Sequence, residues 1–235
     1  MPPRKTYRQK TLSLKNCAKV QTKCKPNGRT ESIKHVMQPS EYKPELVMIA
    51  GPNGSGKTSI TQKFLCHEWA DGTIYINPDQ VANDMFGDWN NTDAILKAAN
   101  YCADLRNRYL VEKKSFVFET VFSSPEKIDF LIKAKEAGFF IRVFFIATSD
   151  PAINAFRIAN RVLKGGHDVP IPKIISRYMK SIQNCKIISS LVDRLYVYDN
   201  SVDNEDAQLL FRLTEGQMAK QYTDNIPKWA TNLLP

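Results

Sequence analysis

The chain has 235 residues, 43% of them hydrophobic, enough for one large domain or a slightly smaller domain with an appendage. Five cysteines scattered at positions 17, 24, 66, 102 and 185 exclude a disulfide framework. No apolar run approaches the roughly 18 residues of a membrane span or forms a signal-peptide core, so a cytoplasmic location is expected.

The net charge of +9 is unevenly placed. Residues 1–44 hold eleven Lys/Arg against two Asp/Glu, whereas residues 45–235 hold 22 of each sign. The expected division is therefore a basic N-terminal arm over 1–44, helical in short pieces or partly disordered, and a main domain over 45–235. The arm's charge suits a solvated extension, an acidic partner protein or nucleic acid. Nucleic acid is the weaker of these, because Tyr7 and Tyr42 are its only aromatic residues. Cys17, Cys24 and His35 lack a fourth partner for a zinc site.

Leu46 to Ala50 has the length of a buried strand and runs into Gly51-Pro-Asn-Gly-Ser-Gly-Lys-Thr58, the G-x-x-x-x-G-K-[ST] phosphate-binding loop. Its glycines let successive amides converge on an anion, and a helix from Thr58 to Trp69 adds its N-terminal amides. The nucleotide contacts expected are Gly51, Pro52, Asn53, Gly54, Ser55, Gly56, Lys57, Thr58 and Ser59. Lys57 would reach the β- and γ-phosphates of ATP, and the Thr58 hydroxyl would bind Mg²⁺ directly.

Thr73–Ile76 is a short strand that Asn77-Pro78 stops, presenting Asp79 at its carboxyl end. Asn91-Thr92-Asp93 caps a long helix to about Glu112. Ser115–Phe118 is a buried strand delivering Glu119 and Thr120, and a helix from Ser124-Pro125 closes at Gly138. Phe139–Ala147 is too apolar for a half-solvated strand and belongs mid-sheet. Ser149-Asp150-Pro151 caps a helix to Leu163 that carries Arg157 and Arg161 four apart. After Gly165-Gly166 and Pro170 to Pro172 comes a helix with Arg177. Arg194–Tyr198 and Ala207–Leu213 are strands, the latter at the sheet edge, and Gly216–Pro235 is a short helix and tail. Alternating strands and helices behind a P-loop predict an α/β three-layer sandwich with a mainly parallel sheet, the P-loop hydrolase/kinase fold.

A compact kinase fits this length. Asp79 and Glu119 would lie together beside the P-loop, Asp79 as general base for an acceptor hydroxyl. Arg157, Arg161 and Arg177 flank a lid over residues 157–177, where they would neutralise the transferring phosphoryl group. The plainer alternatives are a helix-capping Asp79, a Glu119 that holds Mg²⁺ through water, and arginines that only charge the surface. A nucleotide-dependent switch or nucleic-acid-processing ATPase using the basic arm is the competing class.

The pattern GPNGSGKT, Asn77-Pro78-Asp79, Phe118-Glu119-Thr120 and Arg157-x3-Arg161-Val-x2-Gly-Gly-His-x-Val-Pro-x3-Ile-x2-Arg177-Tyr-x2-Ser181-x2-Asn184 resembles the zeta toxin family over roughly residues 45–200. The Gly-Gly-His segment is similar to its short bacterial branch. The resemblance implies a fold like nucleotide and shikimate kinases. It also implies ATP-dependent phosphorylation of a UDP-N-acetylsugar such as UDP-N-acetylglucosamine, and inhibition by a small helical antitoxin, a role residues 1–44 could fill in this chain. By position it makes Asp79 the base, Glu119 and Thr120 the sugar contacts, and Arg157 or Arg161 with Arg177 the phosphoryl-stabilising groups.

Overall fold

In the computed structural model of the protein, residues 43–65, 73–86, 91–166 and 168–235 are described. The expectations for the basic arm, apart from Lys43 and Pro44, and for Cys17, Cys24, His35 and His167 lie outside them.

Strand β1 (Glu45–Ala50) lies within a seven-stranded sheet. Leu46, Met48 and Ala50 enter one buried cluster, while Val47 and Ile49 enter another on the opposite face. A strand covered on both sides is apolar at every position, which is why this run does not alternate. The elements that follow are α1 (Lys57–Leu65), β2 (Ile74–Ile76), α2 (Pro78–Phe86), α3 (Thr92–Val111), β3 (Phe116–Thr120) and α4 (Glu126–Glu136). Then come β4 (Phe140–Ala147), α5 (Pro151–Leu163), α6 (Ile171–Ile188), β5 (Arg194–Asp199), β6 (Gln208–Thr214), β7 (Gln217–Gln221) and α7 (Lys228–Thr231).

The strand order is β2-β3-β1-β4-β5-β6-β7. The first five are parallel, and β6 and β7 are antiparallel additions. The apolar Phe140–Ala147 strand is fourth of the seven, as its composition requires. Its one charge, Arg142, is buried but satisfied: Nε donates to Glu45 Oε1 at 2.5 Å and Nη1 to the Tyr196 hydroxyl at 3.3 Å. The parallel arrangement brings the carboxyl ends of β1 to β5 to one edge, where ligand-binding loops of such sheets gather. The larger core packs α3, α4, α6 and α7 residues, among them Tyr109, Phe130, Leu131, Ile188 and Trp229, on one face. Ile60 of α1 packs on the other. No helix among the described residues is long and apolar enough to cross a membrane.

The structure corrects two expectations. Pro78 does not end in a turn but opens α2, the N1 position where its missing N–H costs nothing. Its cap is Asn77, whose Oδ1 accepts from the amides of Asp79 at 2.9 Å and Gln80 at 3.4 Å. Residues 208–214 are not the edge: 217–221, expected as part of a helical tail, form the edge strand β7. Its sequence QMAKQ is exposed throughout and has no β-branched residue, so it carried no strand signal. A two-residue turn, Glu215 (φ 49°) and Gly216 (φ 81°), supplies the reversal. Gly165-Gly166 ends α5, as expected from the sequence. Gly165, at φ 82°, donates to Val162 O at 2.9 Å and Gly166 donates to Arg161 O at 3.0 Å, a Schellman cap on α5. Val169 beyond it is buried with Ile158 and Ile174.

Phe116 is fully buried and meets the rings of Tyr109, Phe118, Phe130 and Phe139 at centroid distances of 5.9–6.4 Å. Phe116→Ala should cost about 3–5 kcal/mol in urea unfolding, the usual penalty for emptying an aromatic core position. A loss under about 1 kcal/mol would show that this core relaxes around the gap.

Candidate active site

The P-loop is built by close approach. A Cβ on Gly51 (φ 150°) would lie 1.9 Å from Ile146 O of β4, and one on Gly56 (φ 88°) 2.1 Å from Asn200 Nδ2. A side chain at Gly51 would force the loop off the β4 backbone, and one at Gly56 would displace the Asn200 amide that holds the loop. Two asparagines fix the loop's carbonyls. Asn154, fully buried on α5, donates from Nδ2 to Asn53 O at 2.6 Å and accepts at Oδ1 from the Thr148 hydroxyl. Asn200, just after β5, donates from Nδ2 to Ser55 O at 2.8 Å, and its amide donates to Ala147 O at 2.8 Å. With those carbonyls turned outward, the loop and the first turn of α1 are left to present N–H groups on the inside.

Lys57 is the first residue of α1 and is buried, its Nζ donating to Pro52 O at 3.0 Å. Burial pulls its ammonium below the usual lysine range, and Arg161 and Arg177 act in the same sense, while Glu119 and Asp79 oppose them. These five groups are therefore one electrostatic neighbourhood. Thr58 and Ser59 are exposed beside it.

Glu119 ends β3 with Thr120 and is held rigidly. Its Oε2 accepts from Thr61 Oγ1 and from the Tyr75 hydroxyl, each at 3.0 Å, and Asn77 Nδ2 donates to that hydroxyl at 2.8 Å. Burial and the Glu119 charge push the Tyr75 phenol well above its ordinary value, so it stays a proton donor. Asp79 is exposed in the first turn of α2. Since Asn77 performs the capping, the Asp79 carboxylate is not needed for that purpose. Thr58, Asp79 and Glu119 are hard oxygen donors, a set that fits Mg²⁺, which takes one or two protein oxygens and completes its shell with phosphate and water. No group of three or more His, Cys, Asp or Glu among the described residues is arranged as a metal cage.

The α6 pattern is also physical. Arg177 Nη1 donates to Asn53 Oδ1 of the P-loop at 3.3 Å, and Tyr178 OH to Thr148 O at 2.6 Å. Ser181 Oγ donates to Val121 O at 2.9 Å and Asn184 Nδ2 to Phe122 O at 3.0 Å. One helix face thus joins the P-loop to the loop after Glu119-Thr120. In that loop Thr120 Oγ1 accepts from the Phe122 amide at 3.2 Å, and buried Phe122 adopts a left-handed φ of 59°. The side chain of Arg161 lies over Gly166.

Arg157 stands in a different set of contacts. Its guanidinium donates to Asp203 Oδ1, to Asn200 O at 2.7 Å and to Val202 O at 3.3 Å. Sequence reading passed over Thr61, Tyr75, Asn154 and Asn200. Asn200 follows a predicted strand as Asp79 and Glu119 do, which was the available signal; buried Asn154 offered none.

The structural relatives show the same fold. The AvrRxo1-ORF1:AvrRxo1-ORF2 complex is 18% identical over 82% of this chain and 64% of that chain, with a TM-score of 0.56. The same complex with ATP is 16% identical over 76% and 61%, with a TM-score of 0.55. The PezAT chromosomal toxin–antitoxin system of the human pathogen Streptococcus pneumoniae is 15% identical over 73% and 72%, with a TM-score of 0.52. The chain spans less than two thirds of the AvrRxo1 chains it matches. No curated protein sequence matches it. The zeta toxin family profile matches residues 29–209, well over half of the chain, and takes in the P-loop, both carboxylates and all three arginines. The chain is a member of the zeta toxin family.

Proposed function

We propose that the protein is an ATP-dependent phosphotransferase acting on a small hydroxyl-bearing acceptor. The observation that carries this is that Arg177 reaches the P-loop at Asn53, Glu119 is held at the end of β3 and Asp79 stands in the first turn of α2, all at the sheet edge where the buried Lys57 lies. A switch ATPase needs the phosphate loop, but an exposed carboxylate in the first turn of α2, not used as the helix cap, is what an acceptor hydroxyl requires. The likeness to a complex holding ATP supports the nucleotide assignment.

Bound ATP with Mg²⁺ would supply the transferable phosphoryl group and much of the charge neutralisation around it. Within the chain, the P-loop amides and Lys57 would hold the β- and γ-phosphates, and Thr58 would hold the metal, with Glu119 as its ligand through water. Arg161 and Arg177 lie where charge grows in the transition state. Asp79 takes the acceptor proton, while Glu119, immobilised by Thr61 and Tyr75, orients the acceptor with Thr120. Family membership makes a UDP-N-acetylsugar, UDP-N-acetylglucosamine first, the acceptor to try. A protein partner that obstructs the ATP site, or residues 1–44 acting so within the chain, is proposed on the same ground.

Labelled ATP incubated with UDP-sugars, nucleosides and sugar phosphates should transfer label to one class. Hydrolysis stimulated by RNA or DNA, with no labelled small product, would overturn the reading. Lys57→Ala should abolish most nucleotide binding, since no other lysine lies in the loop; an unchanged nucleotide titration would remove the phosphate-site assignment. Asp79→Asn should leave ATP affinity near wild type and cut phosphoryl transfer by about 10²–10⁴-fold, as measured by single-turnover kinetics. An unchanged rate would take the base role from Asp79.

A further inference from the structure

Two arginines among the described residues are buried, and they differ in what surrounds them. Arg142 has its partners in Glu45 and the Tyr196 hydroxyl. Arg106, on α3, is only 4% exposed, yet its Nε has no hydrogen-bond partner and none of the ion pairs among the described residues includes it. Its guanidinium carbon instead lies 5.3 Å from the centroid of the Phe118 ring and 5.7 Å from that of Phe130. Ring faces attract the charge, but the N–H groups in the plane of the guanidinium still call for oxygen acceptors. Burying a cation in that state is costly, and burial pulls the group below the usual arginine range.

The position of the group says where an acceptor for those N–H groups would come from. Helix α3 descends from the carboxyl edge of the sheet to the start of β3, and helix side chains lean toward their own N-terminus, so Arg106 reaches back toward that edge. Side chains alternate along β3, which puts Thr120 on the same face as Phe118 and beyond it at the edge. Phe130 belongs to α4, whose first turn stands at this edge with Pro125 at the cap position and no side-chain cap hydrogen bond. Such a helix start offers free amides to an anion. Lys127 of that turn pairs with Glu126 at 2.9 Å, and Glu126, 69% exposed, also acts on Arg106 without pairing with it. Cys102, one turn back from Arg106 on α3, lies in the field of Arg106, Asp79 and Lys127 together, which ties Asp79 to the same end of the helix.

We propose that Arg106 is an acceptor-specificity residue: its open edge takes an oxyanion, a phosphate or carboxylate group, carried by the molecule whose hydroxyl faces Asp79. The inference rests on the phosphotransferase reading and narrows it, because it makes the acceptor an acid. Arg106 stands outside the residue pattern by which the chain resembles the zeta toxin family. A planar guanidinium already backed by two rings is suited to bidentate capture of such a group, with the charge of the acid offsetting the cost of burying the arginine.

The test measures phosphoryl transfer from labelled Mg²⁺-ATP by the full chain to UDP-N-acetylglucosamine, N-acetylglucosamine 1-phosphate and gluconate, each beside its neutral parent sugar. The acidic member of a pair should be the better substrate. Arg106→Met should raise its KM by about tenfold or more, the scale of a lost charged hydrogen bond, and leave the KM for ATP within about twofold. The same variant should unfold in urea no earlier than wild type, because it removes a buried charge that has no protein partner; loss of a purely structural arginine would destabilise the fold. Arg106→Lys keeps the charge and should keep a smaller preference for the acid; it carries the kinetic comparison should Arg106→Met fail to fold. Neutral sugars used as well as acidic ones, or an acceptor KM unmoved in the variants, would overturn the assignment. A chain that phosphorylates none of them would overturn the phosphotransferase reading instead, and a titration with inorganic phosphate or acetate then decides the site by itself. In the chain loaded with Mg²⁺ and a non-hydrolysable ATP analogue, binding that Arg106→Met abolishes keeps the oxyanion site, and equal binding by wild type and variant removes it.

Discussion

The P-loop can face an anion only if its carbonyls are turned away and kept there. Two asparagine amides do this, Asn154 on Asn53 O and Asn200 on Ser55 O. They come from different parts of the chain, one from the helix after β4 and one from the end of β5. The loop's shape is therefore a tertiary property. It depends on β1 lying beside β4 and on β4 lying beside β5, the register the sheet adopts. Gly51 and Gly56 are the other half of the same constraint, because they let the loop come close enough to be held.

Within that frame the site concentrates three cations, Lys57, Arg161 and Arg177, against two carboxylates, Asp79 and Glu119. Burying an ammonium is costly, and burial holds Lys57 below the usual lysine range. A polyphosphate would repay it. The carboxylates serve as local counter-charge without taking Lys57 into a direct pair, since its Nζ is bonded to Pro52 O. This leaves the lysine poised over the loop and not sequestered by Glu119, whose Oε2 is held by Thr61 and Tyr75.

Much of this was legible in the sequence where a residue type has one dominant use. The P-loop, the proline-led helix caps and the central apolar strand follow from local rules, and the sheet order places Asp79 and Glu119 on one edge as the strand-helix alternation implied. What escaped depends on partners far apart in the chain. Asn154 reads as an unremarkable helix residue until its contact with Asn53, 101 positions away, is seen. The edge strand β7 is defined by its pairing with β6 and by a left-handed Glu-Gly turn, neither of which its polar composition announces. Gly165-Gly166 marks the end of α5 in the sequence, but that both amides close the helix is visible only in the structure. The resemblance to the family could mark Ser181 and Asn184 without saying what each does, and could not say what Arg177 touches in the fold.

The structure supplies that reason, and it bears on how the two substrate halves communicate. Arg177 touches the nucleotide loop through Asn53, and Ser181 and Asn184 hold the carbonyls of Val121 and Phe122 beyond Glu119-Thr120. Phe122 is kept in a left-handed conformation that a non-glycine residue disfavours, so those two bonds oppose local strain. Any displacement of α6 along its axis would change both ends at once: the arginine at the P-loop and the strained loop after Glu119-Thr120. A single helix of 18 residues thus couples the placement of Arg177 at the P-loop to the placement of that loop. That coupling is the physical content of a spacing, Arg-Tyr-x2-Ser-x2-Asn, that puts every polar member on one helix face.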